Sequence, residues 1–144
     1  MPQRSISSVI AGQKILTAPA DMSVHDAARQ MKQRNVSSVL VVAAGKLIGI
    51  FTERDAVSRV LAEGRDTKVT KLGDVMTRRP KTIDPDKSVG HALLMMHDGG
   101  FRHVPVVKDG RPVGMISARD ALGPELREFE SELERRKRIG EILG

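Results

Sequence analysis

The sequence predicts an α+β fold of the α/β type, built from two tandem β-α-β-β-α units followed by a separate C-terminal helix. Residues 21–57 align with residues 86–122 without a gap, at a constant offset that matches Asp55 to Asp120. β-branched apolar runs alternate with helical stripes of Ala and Met, and glycine-containing turns join neighbouring runs. A repeat of this length indicates one supersecondary unit that is used twice.

Identical residues recur at positions that shape a strand, a turn or a helix start. The identical pairs include Asp21/Asp86, Val41/Val106, Val42/Val107, Gly45/Gly110, Gly49/Gly114 and Asp55/Asp120. Because these positions fix backbone geometry, we expect the two units to share one fold.

The first unit is predicted over residues 8–64. Ser23 or Asp21 caps its first helix, Ala27 and Met31 supply the buried stripe, and Gly64 ends its second helix. The predicted elements, in order, are a helical turn at 8–10, a strand at 14–17, a helix from 23 to 34, a hairpin of strands 36–42 and 47–51, and a helix from 52 to 63.

The second unit is predicted over residues 72–123. Asp109-Gly110 is a strong hairpin signal, and Gly99-Gly100 ends the preceding helix. The predicted elements are a short helix at 72–76, a strand at 81–83, a helix from 88 to 98, a hairpin of strands 101–107 and 112–116, and a helix that begins at Ser117 and is interrupted at Gly123-Pro124.

Residues 125–144 predict a separate amphipathic helix. Leu126, Phe129 and Leu133 form an apolar stripe, and the opposite face is charged. This stripe covers its own domain, a second copy or a partner protein, and packing within the chain is the expected outcome.

The composition narrows the range of functions. With 144 residues, no cysteine and 2% aromatic residues, the chain offers no disulfide, no zinc–thiolate site and no stacking platform for single-stranded nucleic acid. Its net charge of +6 suits phosphorylated ligands, nucleic acid or an acidic surface. Since no apolar run approaches a membrane span and no signal-peptide core is present, a soluble cytoplasmic protein without membrane contact is expected.

Candidate ligand-binding residues lie at two strand-to-helix junctions, Gly49–Asp55 and Gly114–Asp120. Each has a hydroxyl followed three residues later by Asp, so the hydroxyl caps a helix start and the backbone N–H groups there suit an anion. A phosphate on the amides and a ribose on the carboxylate would together hold a nucleotide. The simpler interpretation is a capping motif without a ligand, and the doubling of the motif favours the nucleotide.

The doubled junctions and tandem units resemble the CBS-domain family over about residues 8–123. The resemblance implies that the units pack as a pseudo-twofold pair, the Bateman module. It also implies that adenosine-containing ligands occupy two clefts between the units, with AMP the first expectation and ATP, ADP, NADH or S-adenosylmethionine as alternatives.

Carried over onto this sequence, the family pattern assigns residues to two clefts. The Asp55 cleft, called cleft 1 below, takes Ile50, Thr52, Arg54, Asp55, Lys81, Thr82, Phe101, Arg102 and His103. The Asp120 cleft, called cleft 2, takes Leu16, Thr17, Val36, Ser37, Met115, Ser117, Arg119 and Asp120. Ser37-Ser38 offers no charge where the second unit has Arg102-His103, so cleft 1 is expected to bind phosphate more tightly.

The expected function is an adenine-nucleotide-sensing regulatory module without catalytic activity. The four histidines lack metal-ligand spacing, and no phosphate-binding glycine loop occurs, so neither a metal site nor an enzyme is predicted. A homodimer through the Met-rich helix 88–98 and the helix after Thr52 is expected, with a separate polypeptide as effector. The alternatives are a nucleic-acid-binding protein that uses the basic surface, which is not favoured, and a structural dimerisation module with unused clefts.

Overall fold

The computed structural model describes residues 4–143, without the side chains of Pro124 and residues 141–143, so the predicted helix end at residue 144 lies outside the described residues. The helices are α1 (Ile6–Ile10), α2 (Val24–Arg34), α3 (Glu53–Asp55, continued by a π-helix over Ala56–Leu61), α4 (Leu72–Val75), α5 (Val89–Gly99) and α6 (Gly123–Leu143). The strands are β1 (Thr17–Ala18), β2 (Ser38–Ala43), β3 (Lys46–Thr52), β4 (Thr77–Arg78), β5 (His103–Lys108) and β6 (Arg111–Ser117). The predicted mixed fold with a C-terminal helix is confirmed.

The two hairpins are built alike. Strands β1, β2, β3 and β4 form one sheet in that order, with β1 parallel to β2, and β5 pairs with β6 in a second sheet. Ser38 lies opposite Thr52, and His103 lies opposite Ser117. In both hairpins the strand register shifts between two consecutive valines of the first strand, Val41/Val42 and Val106/Val107. The predicted strand at 81–83 is reduced to a single parallel bridge between Ile83 and Val106.

The leading helix of each unit packs in the core of the other unit. Ile6 and Ile10 of α1 are buried with the apolar residues of the second unit. Leu72 and Val75 of α4 are buried with those of the first. Each short sheet is too small to bury its own apolar face, so the exchange completes both cores.

Matching backbone hydrogen bonds fix this exchange. The N–H of Ile6 donates to the carbonyl of Lys87, and the N–H of Leu72 donates to that of Met22, both at 2.9 Å. Lys87 and Met22 occupy equivalent positions of the repeat. The same symmetry relates the bond from Val89 to the Arg4 carbonyl and the bond from Val24 to the Thr70 carbonyl.

Glycines at equivalent positions of β3 and β6 allow the exchanged segments to approach. A Cβ added to Gly114 would lie 2.7 Å from Cβ and Cγ2 of Ile10 in α1. A Cβ added to Gly49 would overlap the Sδ of Met76, which follows α4. The Gly49/Gly114 identity therefore reflects a packing requirement at the core.

Helix α6 packs against α5 of its own domain through Phe129 of the predicted stripe, and only the Leu126 end of that stripe faces solvent. Phe129 joins the second core and meets the ring of His97 edge-on at 5.8 Å, and Arg136 Nη1 lies 3.1 Å from Asp98 Oδ1. Leu126, predicted on the packed stripe, is 42% exposed. Its turn of the helix is held instead by Glu125, which is buried.

The prediction of a helix beginning at Ser117 was wrong. Only a 3₁₀ turn forms, over Ala118–Asp120, and the backbone then extends at Ala121. The chain restarts as α6 at Gly123, where Pro124 falls in the first turn and its missing N–H costs no hydrogen bond. The Glu125 carboxylate accepts the Leu122 N–H at 2.9 Å and pairs with Arg4 at 2.6 Å, which anchors the new helix.

The close approach at Gly114 predicts a marked effect of a single methyl group. Gly114→Ala should lower the free energy of unfolding by about 1–3 kcal/mol, because the methyl overlaps α1 in a packed core. Gly49→Ala should cost less, since the Met76 side chain is flexible. Gly140→Ala on exposed α6 is the control and should be neutral or stabilising, by up to about 1 kcal/mol. Equal denaturation midpoints for Gly114→Ala and the wild type would contradict this packing.

Candidate functional site

Both predicted junctions form capping boxes. At the start of α3, Asp55 Oδ2 accepts the N–H of Thr52 at 3.0 Å, and the Thr52 hydroxyl accepts the N–H of Asp55 at 3.3 Å. At the start of the 3₁₀ turn, Asp120 Oδ2 accepts the N–H of Ser117 at 2.7 Å. The capping role is therefore present at both places, and the surroundings of each carboxylate decide what more it can do.

Cleft 1 is a cavity of about 860 Å³ between the two units. Of the residues predicted for it, all except Thr82 line the cavity: Ile50, Thr52, Arg54, Asp55, Lys81, Phe101, Arg102 and His103. The exchange of leading helices brings residues 77–81 of the second unit beside the Asp55 junction of the first. The cavity thus unites residues that are far apart in sequence.

Cleft 2 is smaller, at about 260 Å³. Of the residues predicted for it, all except Thr17 line the cavity: Leu16, Val36, Ser37, Met115, Ser117, Arg119 and Asp120. Thr17 and Thr82 are equivalent in the repeat, and both are exposed. Thr17 lies between buried Leu16 and Ala18, and alternate residues of an extended chain face opposite sides.

Positive charge dominates cleft 1. Six cationic side chains and two carboxylates line it, namely Arg54, Arg59, Arg79, Lys81, Arg102 and Arg119 against Glu53 and Asp55. Arg59, Thr77 and Arg79 were not among the residues predicted for either cleft. The spacing of Arg59, four residues after Asp55, was a signal for a side-chain pair on one helical face.

The Asp55 carboxylate is buried, and both of its oxygens have partners. Its Oδ2 accepts the N–H of Thr52 and lies 3.2 Å from the Thr52 hydroxyl. Its Oδ1 accepts the Thr77 hydroxyl at 3.3 Å and lies 3.6 Å from Arg59 Nε. Arg59 also donates to the carbonyl of Met76 at 2.9 Å, so it ties this carboxylate to the chain leaving α4.

The Asp120 carboxylate is more open. Both of its hydrogen bonds, from the N–H and the hydroxyl of Ser117, fall on Oδ2. Among residues 4–143, no donor lies within hydrogen-bonding distance of its Oδ1. Arg4 reaches this turn but donates to the backbone carbonyl of Asp120, at 2.6 Å.

A shared wall separates the two clefts. Ser37, His103, Ser117 and Arg119 line both cavities. Within this wall, the Ser37 Oγ and His103 Nε2 atoms form a hydrogen bond of 2.8 Å. Burial and the neighbouring Arg119 guanidinium lower the pKa of His103 from its ordinary value of 6.5, and Glu53 and Asp120 oppose this only in part.

The side-chain amide of Gln13 closes one end of cleft 2. It donates to the carbonyl of Met115 at 3.0 Å and accepts the Met115 N–H at 2.7 Å. In the first unit, strand β4 pairs with Gly49 and Ile50 at the equivalent place. The Gln13 side chain therefore bonds the Met115 backbone at the place where, in the first unit, strand β4 bonds β3.

The family model for the CBS domain matches the chain twice, over residues 6–62 and 72–123. The chain belongs to the CBS-domain family. The resemblance inferred from the doubled junctions is confirmed, and the two matched segments correspond to the two CBS units of the fold.

A plant protein and an archaeal protein are similar to this chain. The mitochondrial CBS domain-containing protein CBSX3 of Arabidopsis thaliana is 39% identical over 125 residues, which cover 83% of this chain and 61% of that protein. An uncharacterized 17.7 kDa protein of Acidianus ambivalens is 35% identical over 115 residues, which cover 78% of this chain and 68% of that protein. The chain thus spans less than two thirds of the length of CBSX3.

Solved CBS structures share the fold. The CBS-domain containing protein ATU1752 from Agrobacterium tumefaciens matches with a TM-score of 0.73 and 29% identity, over 81% of this chain and 89% of that chain. The CBS domain pair of protein MJ0100, in complex with 5′-methylthioadenosine and S-adenosylmethionine, matches with a TM-score of 0.73 and 28% identity, over 81% and 95% of the two chains.

The described part of the chain, residues 4–143, contains no cluster of three or more His, Asp or Glu side chains that could hold a metal ion. Over the same residues, no helix combines the length and apolarity needed to cross a bilayer.

The lowered pKa of His103 predicts a pH dependence of stability. As the pH falls below about 6.5, the unfolded chain takes up this proton before the folded chain does, so the free energy of unfolding should fall. His103→Gln should reduce this slope between about pH 7 and pH 5. Urea denaturation measures it, with His91→Gln on the exposed side of α5 as control. An unchanged slope in His103→Gln would show that His103 does not titrate in this way.

Proposed function

We propose that this CBS pair is a regulatory module without catalytic activity of its own, and that cleft 1 binds an adenosine ligand that carries phosphate, with AMP as the first candidate. The observation that carries the proposal is the excess of cationic side chains around the Thr52–Asp55 junction. MJ0100, a structural relative, binds 5′-methylthioadenosine and S-adenosylmethionine, which supports the adenosyl part.

The charges of cleft 1 favour phosphate over other adenosyl ligands. Arg54 and Arg59 each donate to a backbone carbonyl, whereas Arg79, Lys81 and Arg102 form no ion pair within the described chain. Arginine is always charged and presents a fork of donors to phosphate oxygens. The sulfonium of S-adenosylmethionine adds positive charge to the ligand and is disfavoured there by like-charge repulsion. AMP, ADP, ATP and NADH all satisfy this requirement.

The apolar side of cleft 1 suits a base. Ile50 and Phe101 line the cavity beside the polar junction, and Ile50 is buried beneath it. Ligand pockets combine such apolar walls with a few polar groups that fix orientation. The other residues predicted for cleft 1 keep the roles that the family resemblance implies, with Thr52 and Asp55 toward the ribose and Arg102 and His103 toward the phosphate.

A regulatory role also requires an effector, and we propose that it is a separate polypeptide. Nucleic acid is the weaker alternative for the basic cleft, because the cations converge in a concave cavity and not along an extended stripe. Nucleic-acid binding would weaken far more steeply with salt than the binding of one small phosphate ligand.

Calorimetry with AMP and adenosine tests the ligand. Arg102→Ala and Arg79→Ala should each weaken AMP binding by about tenfold, which corresponds to the loss of one charge-assisted contact at a solvated site. Adenosine binding should change little, because it has no phosphate. Arg29→Ala, an exposed arginine of α2 that lines neither cleft, is the matched control. Equal AMP affinity in all four proteins would remove cleft 1 as the phosphate site.

We further propose a homodimer in which the helix after Thr52 lies at the interface. Helix α6 covers part of α5, the other predicted contact helix, whereas Val57 and Leu61 are 58% and 66% exposed on one helical face. Light scattering at micromolar concentration should give twice the chain mass, and Leu61→Glu should reduce it. Val113→Glu on exposed β6 is the control. A monomeric wild-type mass would refute the dimer.

A further inference from the structure

We propose that Arg59 and Thr77 divide the ligand classes between the clefts: they engage Oδ1 of Asp55 and make cleft 1 a phosphate site, whereas Asp120 in cleft 2, which lacks such partners, binds a ribonucleoside without phosphate. The proposal rests on the proposed function of the module and adds a ligand class for the second cleft.

The Asp55 and Asp120 carboxylates differ in how many of their acceptor positions are occupied. A carboxylate offers about four hydrogen-bonding positions on its two oxygens. At Asp55 three are taken, two by Thr52 on Oδ2 and one by the Thr77 hydroxyl on Oδ1, and the Arg59 guanidinium lies 3.6 Å from Oδ1 as an ion-pair partner. At Asp120 only Oδ2 is engaged, by Ser117. The Oδ1 of Asp120 is therefore available to the hydroxyls of a ribose.

The difference between the two carboxylates follows from the sequence around them. At the repeat offset of 65 residues, Arg59 corresponds to Pro124 and Thr77 to Gly12; at the offset of 66 that relates the leading helices, Thr77 corresponds to Ala11. None of these three residue types has a side-chain hydrogen-bond donor. Arg4 approaches the Asp120 turn, but it binds the backbone carbonyl and Glu125 and leaves the carboxylate open.

The two clefts also differ in charge and size. Cleft 2 is lined by Lys14 and Arg119 against Asp120, whereas six cations line cleft 1. Its volume of about 260 Å³ is less than a third of that of cleft 1. A neutral ribonucleoside fits a small cavity with little excess charge, and a ligand with several phosphates does not.

Within cleft 1, a ribose competes with protein side chains for the Asp55 carboxylate. A ribose can bind Asp55 only if it displaces Thr77 or Arg59, and Arg59 is also held by the carbonyls of Val75 and Met76. A ligand without phosphate gains too little to do this, since exchanging one hydrogen bond for another yields little net free energy. A phosphate on Arg79 or Arg102 supplies the missing attraction.

Calorimetric titration of the full chain with adenosine tests the division. Wild-type protein should bind one adenosine per chain. Asp120→Asn, which replaces the open oxygen by an amide, should weaken it by about tenfold or more, and Asp55→Asn should leave it unchanged. The double variant Arg59→Met/Thr77→Val should bind a second adenosine, because Asp55 Oδ1 is then free. Arg29→Met is the control for the arginine substitution.

Thermal melts of each variant establish that it is folded, and the double variant tests the idea even if Asp120→Asn does not fold, since it keeps Asp120. The proposal is overturned if adenosine binding is lost in Asp55→Asn and kept in Asp120→Asn. It is also overturned if the double variant still binds one adenosine, or if AMP binds and adenosine at roughly 1 mM does not. AMP binding that is unchanged in Arg79→Ala and Arg102→Ala would instead refute the proposed function of cleft 1.

Discussion

The exchange of leading helices is the constraint on which the rest of this structure depends. Neither hairpin, with its one flanking helix, can bury both faces of its apolar strands. Helix α1 completes the second core and α4 completes the first, each held by the same backbone hydrogen bonds at equivalent positions. The two units therefore fold as one body, and Gly49 and Gly114 recur in the repeat because the exchanged segments pack directly against them.

The exchange also creates the clefts. Because α4 lies in the first core, the chain that follows it passes beside the Asp55 junction and delivers Thr77, Arg79 and Lys81 to cleft 1. In the other half, the segment after α1 delivers Gln13 to Leu16 to cleft 2. The two cavities share the wall of Ser37 and His103, so each site is bounded by both units.

Small departures from the repeat make the clefts unequal. Arg59 and Thr77 engage the carboxylate of the first junction, and the residues at the corresponding places around the second junction, Pro124 and Ala11 or Gly12, have no side-chain donor. The second unit ends in a 3₁₀ turn without the helix that follows the first junction, and α6 begins at Gly123. An almost symmetric frame thus carries one strongly cationic site and one nearly neutral site.

Of the cleft residues that the family resemblance assigned, all except Thr17 and Thr82 line the cavities. The sequence by itself determined the repeated unit, its hairpins and both capped junctions. These follow from local rules, since capping, turn chemistry and strand alternation act over a few residues and are doubled by the repeat. Tertiary structure alone decided which core each leading helix enters, that Ser117 starts only a 3₁₀ turn, and that Glu125 and not Leu126 is buried at the start of α6. It also decided that Arg59 and Thr77 meet at Asp55. Thr77 lies 22 residues from Asp55, and such contacts depend on how whole elements pack, which no short-range pattern in the chain encodes.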